Sequence, residues 1–126
     1  MMARLFLFPF LAALAGCVST ISTLDGRDLR LSSPEFRQYF ERVFREQNAV
    51  ATELAFVQGE AINRGDLLTL EDDLLDACAG LNELALARRD GRSLSRRRQA
   101  SLARTVPTCE TAVADVRSRL AESQVR

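Results

Sequence analysis

The chain has 126 residues, room for one domain rather than two. Its 17 acidic residues balance 17 basic ones, all of them Arg, and this zero net charge argues against a dedicated nucleic-acid binder, whose footprint is a basic domain. The chain has no His, which removes the usual general base and the commonest metal ligand, while 47% hydrophobic and 27% charged residues are proportions of a folded protein.

The first segment combines Arg4 with an apolar run over Leu5–Leu7, Phe8, Phe10 and Leu11–Ala15, interrupted by Pro9. The run is too short to span a bilayer core of ~30 Å as a mature helix and has the build of an export signal. It ends in Leu14-Ala15-Gly16-Cys17: an aliphatic residue, two small residues, then Cys. This tetrapeptide resembles the lipobox of bacterial lipoproteins, and the resemblance covers this segment alone. It implies that residues 1–16 are a signal peptide and that Cys17 carries a diacylglyceryl group and an acylated amine. It further implies that the covalent lipid on Cys17 holds the chain to a membrane; no cofactor is expected. Val18 and Ser19 follow, and the lack of an Asp there leans toward the outer membrane, facing the periplasm, under enterobacteria-like sorting. Two other readings stay open: Ala13-Leu14-Ala15 fits an ordinary small-x-small cleavage site, and the apolar N-terminus can be uncleaved with a chance Cys.

Val18 to Ser33 is rich in Ser, Thr, Asp and Gly and has no sustained period. It reads as a flexible tether, residues 17–33 with the lipidated Cys, whose r.m.s. reach of about 20–24 Å keeps the folded part near the membrane.

Ser33-Pro34-Glu35 is a helix start, with a Ser cap, Pro at the first position and an acid in the first turn. Residues Phe36, Phe40, Val43, Gln47, Val50, Leu54, Val57 and Ala61 then alternate spacings of 4 and 3, a heptad seam that Gly65 is expected to stop. A second seam runs Leu67, Leu70, Leu74, Ala77, Leu81, Leu84 and ends near Asp90-Gly91. A third runs Leu102, Val106, Cys109, Val113, Val116, Leu120, with Ser93 or Ser95 as a cap. Pro107 lies inside it, so this segment is one kinked helix or two helices meeting near Thr105. Neighbours such as Phe44, Ala51, Leu75, Cys78, Ala85 and Ala112 widen the stripes beyond those of an open coiled coil. The expected fold is all-α: a three-helix antiparallel bundle over residues 34–126, with turns near 64–66 and 90–93.

Besides Cys17, the chain has Cys78 and Cys109. An exported chain meets an oxidising compartment, and an even pair there reads as a disulfide. Their midpoint coincides with the second turn, so an antiparallel hairpin brings them face to face on the apolar stripes. The alternative, a reactive thiol pair, lacks both a His and a C-x-x-C spacing.

Charge is unevenly spread. Glu53, Glu60, Asp66, Glu71, Asp72, Asp73, Asp76 and Glu83 face only Arg64 within residues 53–83, whereas Arg88, Arg89, Arg92, Arg96, Arg97, Arg98 and Arg104 face only Asp90 within 88–104. Such blocks ordinarily form solvated faces or pair with each other. The hairpin register sets Glu83 near Arg104 and stacks Arg96–Arg98 on Arg88–Asp90, bases on bases, with Arg37, Arg42 and Arg45 at the same end. The expectation is a polarised molecule whose Arg-rich end, Arg88, Arg89, Arg92, Arg96, Arg97 and Arg98, rests on an anionic surface. Glu71, Asp72, Asp73 and Asp76 read as acids complementing the dipole of the second helix in its first turns. Asp72 and Asp76 lie one turn apart but lack EF-hand spacing, so no metal site is expected.

These features point to a non-enzymatic envelope protein with a structural or adaptor role and an envelope protein as partner. The alternative is a binding or inhibitory module that recognises an envelope enzyme or an anionic envelope polymer through the Arg-rich end. An enzyme lacks support, with no His, no phosphate loop and no nucleophile motif. The heptads allow self-association, and Phe56 and Leu86, off the seams, are candidates for a second apolar surface.

Overall fold

The computed structural model describes residues 19–57 and 62–124. Three long helices make up an antiparallel bundle: α1 (Pro34–Phe56), α2 (Arg64–Arg89) and α4 (Val106–Gln124). A short helix, α3 (Arg96–Ala103), precedes α4, and a hairpin of β1 (Thr20–Ser22) and β2 (Asp28–Arg30) precedes α1.

The seams build the core. Phe36, Phe40, Val43, Val50 and Leu54 of α1, Leu70, Leu74, Leu81 and Leu84 of α2, and Val106, Val113, Val116 and Leu120 of α4 are all buried. Ala61 lies outside the described residues. The expected caps hold at three ends. The Ser33 hydroxyl accepts from the Phe36 amide at 3.1 Å, ahead of Pro34. After α2, Gly91 takes φ +65°, the left-handed conformation that suits glycine, while the Arg92 amide returns to the Ala87 carbonyl at 2.9 Å. Of the two candidate caps for the third leg, Ser95 is used: its hydroxyl accepts from the Arg98 amide at 3.1 Å.

The first turn sits elsewhere than expected. α1 ends at Phe56, where Val57 turns extended, rather than running to Gly65. Asn63 caps α2 by accepting from the Gly65 amide at 2.8 Å, so Gly65 belongs to the first turn of α2. An Asx cap outcompetes glycine as the boundary signal here.

The third leg is two helices. They meet at Arg104 and Thr105, where the Thr105 amide and hydroxyl both donate to the Leu102 carbonyl. Pro107 falls in the first turn of α4, where its missing N–H has no intrahelical partner to lose. The junction is packed closely: a Cβ on Gly80 of α2 would collide with the Thr105 side chain.

Cys78 and Cys109 form the expected disulfide between α2 and α4, with Cα atoms 4.5 Å apart and both residues fully buried.

Residues 19–33, read from the sequence as linker, are ordered. Ile21 pairs with Leu29 across the antiparallel hairpin, both side chains join the core, and Gly26 at φ +83° makes the turn. Strands of three residues carry one buried position each, too few to register as a period of two.

Candidate anion-binding site

The Arg-rich end is built where the ends of α1 and α2, the start of α3 and the hairpin converge. Arg88 comes from the last turn of α2, Arg96 from the first turn of α3 and Arg30 from β2. The three line one open groove of about 530 Å³. Ser19, Ser32 and Gln99 add polar groups, and Leu31, Phe36, Leu84, Ala100 and Ala103 add apolar wall. Among the described residues no acid lines it.

The guanidinium of Arg88 is fixed over the Phe40 ring, 4.5 Å from its centroid. Desolvation there, and then the charge of Arg37, push its pKa below the ordinary arginine value, against the pull of Glu41. The cation therefore sits in surroundings that disfavour it and gains from a nearby anion.

The other predicted cluster residues divide. Arg89 pairs with its neighbour Asp90 at 3.0 Å, and Arg92 and Arg97 are exposed with no ion pair among the described residues. Arg98 overturns the expected stacking of bases on bases. Its Nη2 and Nε reach Glu83 Oε2 and Oε1 at 2.7 and 3.2 Å. The break at Arg104–Thr105 shifts the register of α3 against α2, so Glu83 meets Arg98 rather than the expected Arg104. Arg104 instead directs Nη2 toward the Ser19 hydroxyl at 3.4 Å. Arg42, expected at the basic end, is held by Glu46 and Glu110. Arg30 escaped the sequence reading because it sat in the presumed linker.

The start of α3 breaks a local electrostatic rule. Arg96, Arg97 and Arg98 occupy its first turn, with no acid there, although the partial positive charge of a helix N-terminus favours anions. Glu83 relieves Arg98 alone among the three. Arrangements that oppose local stability in this way concentrate at functional surfaces.

The acidic cluster needs a different account from the one expected. α2 begins at Arg64, so Glu71, Asp72, Asp73 and Asp76 lie beyond its first turn, which holds only Asp66. A dipole effect confined to one turn does not reach them. Asp72, Asp73 and Asp76 are exposed, and among the described residues no group of three or more His, Cys, Asp or Glu is placed to hold a metal.

Sequence reasoning missed a buried polar node on the other side of the hairpin. Glu110 of α4 is buried, and its Oε1 accepts from the Leu24 amide at 2.7 Å and the Tyr39 hydroxyl at 3.1 Å. Its Oε2 accepts from Arg42 Nη2 at 2.7 Å. The carboxylate thereby ties hairpin, α1 and α4 together. Burial, and then the adjacent Glu110 charge, push the Tyr39 phenol well above its ordinary pKa, while Glu110 and Glu46 raise that of Arg42. A lone Glu beside Cys109 gives no sequence signal of this role.

The expected second apolar surface also divides. Phe56 is 77% exposed near the α1–α2 turn, whereas Leu86, 43% exposed, lines a separate groove with Phe44 and Ala85 toward the other end. Among the described residues no helix is long and apolar enough to cross a membrane. Cys17 lies outside the described residues. The chain matches no protein-family model, no curated protein and no solved structure.

Proposed function

We propose that this chain is a lipid-anchored, non-enzymatic envelope protein, a structural or adaptor component held beside the membrane, in the outer membrane facing the periplasm, with its Arg-rich end toward the anionic surface. The observation that carries the reading is the position of Ser19, which lines the same groove as Arg30, Arg88 and Arg96. Cys17 is two residues earlier, and a chain spans at most about 7 Å over two residues. A lipid on that thiol therefore enters the bilayer next to the Arg-rich end. Anchor and basic surface reinforce each other, since acyl chains supply affinity and each Arg near an anionic surface adds about 1 kcal/mol, screened by salt.

The test is metabolic labelling with a palmitate analogue in a bacterial host. The chain is expected to take up label and fractionate with membranes, and Cys17→Ala is expected to abolish both. An unlabelled wild-type chain would overturn the reading. Crosslinking in intact cells, with recovery of a defined envelope protein, tests the adaptor role.

A second reading, a binding or inhibitory module that recognises an envelope enzyme or an anionic polymer through the same end, is favoured by Arg92 and Arg97, which carry charge without a partner among the described residues. Salt-sensitive binding of the soluble domain to such a polymer, stronger than to anionic vesicles, would favour it over the first.

A further inference from the structure

We propose that the groove among Arg30, Arg88 and Arg96 is a site for one anionic phospholipid, its phosphate held by the three guanidinium groups and the first carbons of its chains laid on the partly exposed Leu31 and Ala100, above the buried Phe36 and Leu84. The inference deepens the reading of the Arg-rich end as an anion-facing surface and rests on it, but it needs no acyl group on Cys17.

The argument begins with the chemistry of the walls. Among the described residues, three cations and no acid line a volume of about 530 Å³, within the usual size of a small-molecule site. A site for a bare anion needs only the cations. Here the same space also has an apolar floor, which a hydrated phosphate leaves unused and an amphiphile covers. The open side of the groove leaves the distal chain carbons free to remain in a bilayer.

The cations are also gathered in three dimensions rather than strung along one helix. Arg30, Arg88 and Arg96 come from a strand and two helices, so a single phosphate can meet planar, fork-shaped donors from several directions. Arg88 is oriented in advance by its stacking on Phe40. Less ordering then remains to be done on binding. Arg96 adds the positive end of α3 to its own charge.

The experiment uses the soluble chain beginning at Val18, which retains every described element. Binding of monomeric dihexanoyl phosphatidylglycerol is measured by calorimetry beside dihexanoyl phosphatidylcholine and inorganic phosphate. The expected result is saturable one-to-one binding of phosphatidylglycerol, with the other two probes at least roughly tenfold weaker. Arg30→Ala and Arg96→Ala, both at exposed positions, are each expected to weaken it by about tenfold or more. Ala100→Trp, which fills the groove, is expected to abolish it while the thermal melt shows the fold retained. If that melt is lost, Ala100→Leu at the same wall carries the test. Inorganic phosphate binding as tightly as the lipid would reduce the site to an anion site and overturn the proposal. So would phosphatidylcholine binding equally well, or lipid binding that survives a folded groove-filling variant. Sedimentation with anionic vesicles separates the two readings. Failure of the wild-type chain to sediment, with soluble phosphatidylglycerol still bound, removes the surface reading and keeps the site. Sedimentation without binding of the soluble lipid does the reverse.

Discussion

The backbone amide of Leu24 donates to Oε1 of Glu110 at 2.7 Å, across 86 residues of sequence. This bond places a carboxylate of α4 beneath the turn of the N-terminal hairpin. The same carboxylate receives Tyr39 and Arg42 from α1, so the hairpin is fastened by a polar node as well as by Ile21 and Leu29. Removing the carboxylate takes this acceptor from the Leu24 amide and the Tyr39 phenol and leaves Arg42 with Glu46 alone. Glu110→Ala is expected to cost about 1–3 kcal/mol in denaturant unfolding, and Tyr39→Phe about 1 kcal/mol. Hydrogen exchange should find the hairpin amides of Glu110→Ala opening well below the global unfolding free energy. Equal protection of the hairpin in wild type and variant would show that its apolar contacts alone hold it.

The Tyr39 phenol reports on this node through pH. Its folded pKa is raised, first by burial and then by Glu110, so the folded state favours the neutral phenol. The unfolded phenol ionises at about 10. Stability from this group is therefore complete below that pH and is lost above it, at up to about 1.4 kcal/mol per pH unit. The chain has a single Tyr and neither Lys nor His, so few other side chains titrate across this range. The tyrosinate absorbance of the native protein should rise only together with unfolding, and Tyr39→Phe should flatten the alkaline limb of stability against pH. A native-state titration at the free phenol value would contradict the buried contact.

The bundle was legible because its helices bury one stripe and expose the rest, which a 3.6-residue period records directly. Leu102, Val106, Cys109, Val113, Val116 and Leu120 are all buried, even though a helix break falls among them. The disulfide was legible because the hairpin register brings the even pair Cys78 and Cys109 face to face. The hairpin was not, since Ile21 and Leu29 are single buried residues in polar surroundings. Arg30 was hidden with it, and with Arg30 the shape of the groove. Glu110 was illegible for a different reason: its importance lies in contacts 68 to 86 residues away, which no local pattern encodes.

Gly80 and Thr105 test the α3–α4 break. A mid-helix glycine is ordinarily improved by alanine, by about 1 kcal/mol. Here the added methyl meets the Thr105 side chain, so Gly80→Ala is expected to destabilise by about 1–3 kcal/mol. Thr105→Ala removes the colliding atoms and should rescue Gly80→Ala in a double-mutant cycle. A Gly80→Ala variant more stable than wild type would show that the α3–α4 junction moves away from α2 without cost.

The buried disulfide closes a loop of about 32 residues, for which the chain-entropy model gives roughly 3.5–4 kcal/mol. In a domain of this size that is a large share of the total. Replacing Cys78 and Cys109 together by Ala should lower the melting temperature by many degrees, with the far-ultraviolet helix signal retained at low temperature. Labelling of the denatured protein, prepared without reductant, should find neither of these two thiols free.

Arg97 and Arg98 are adjacent in sequence but differ in what holds them, and vesicle binding should tell them apart. Arg98 is paired with Glu83 through two hydrogen bonds on an exposed surface, a contact worth at most about 1 kcal/mol to stability but one that neutralises its charge locally. Arg97 has no such partner among the described residues. Arg97→Ala should therefore weaken sedimentation with anionic vesicles by roughly fivefold, the equivalent of about 1 kcal/mol. Arg98→Ala should change it little. Glu83→Gln should strengthen it by releasing the Arg98 charge, and all three differences should shrink as salt rises. If Arg97→Ala and Arg98→Ala behave alike and Glu83→Gln is neutral, the end acts through summed charge alone and the Glu83 pair does not set which arginines are available.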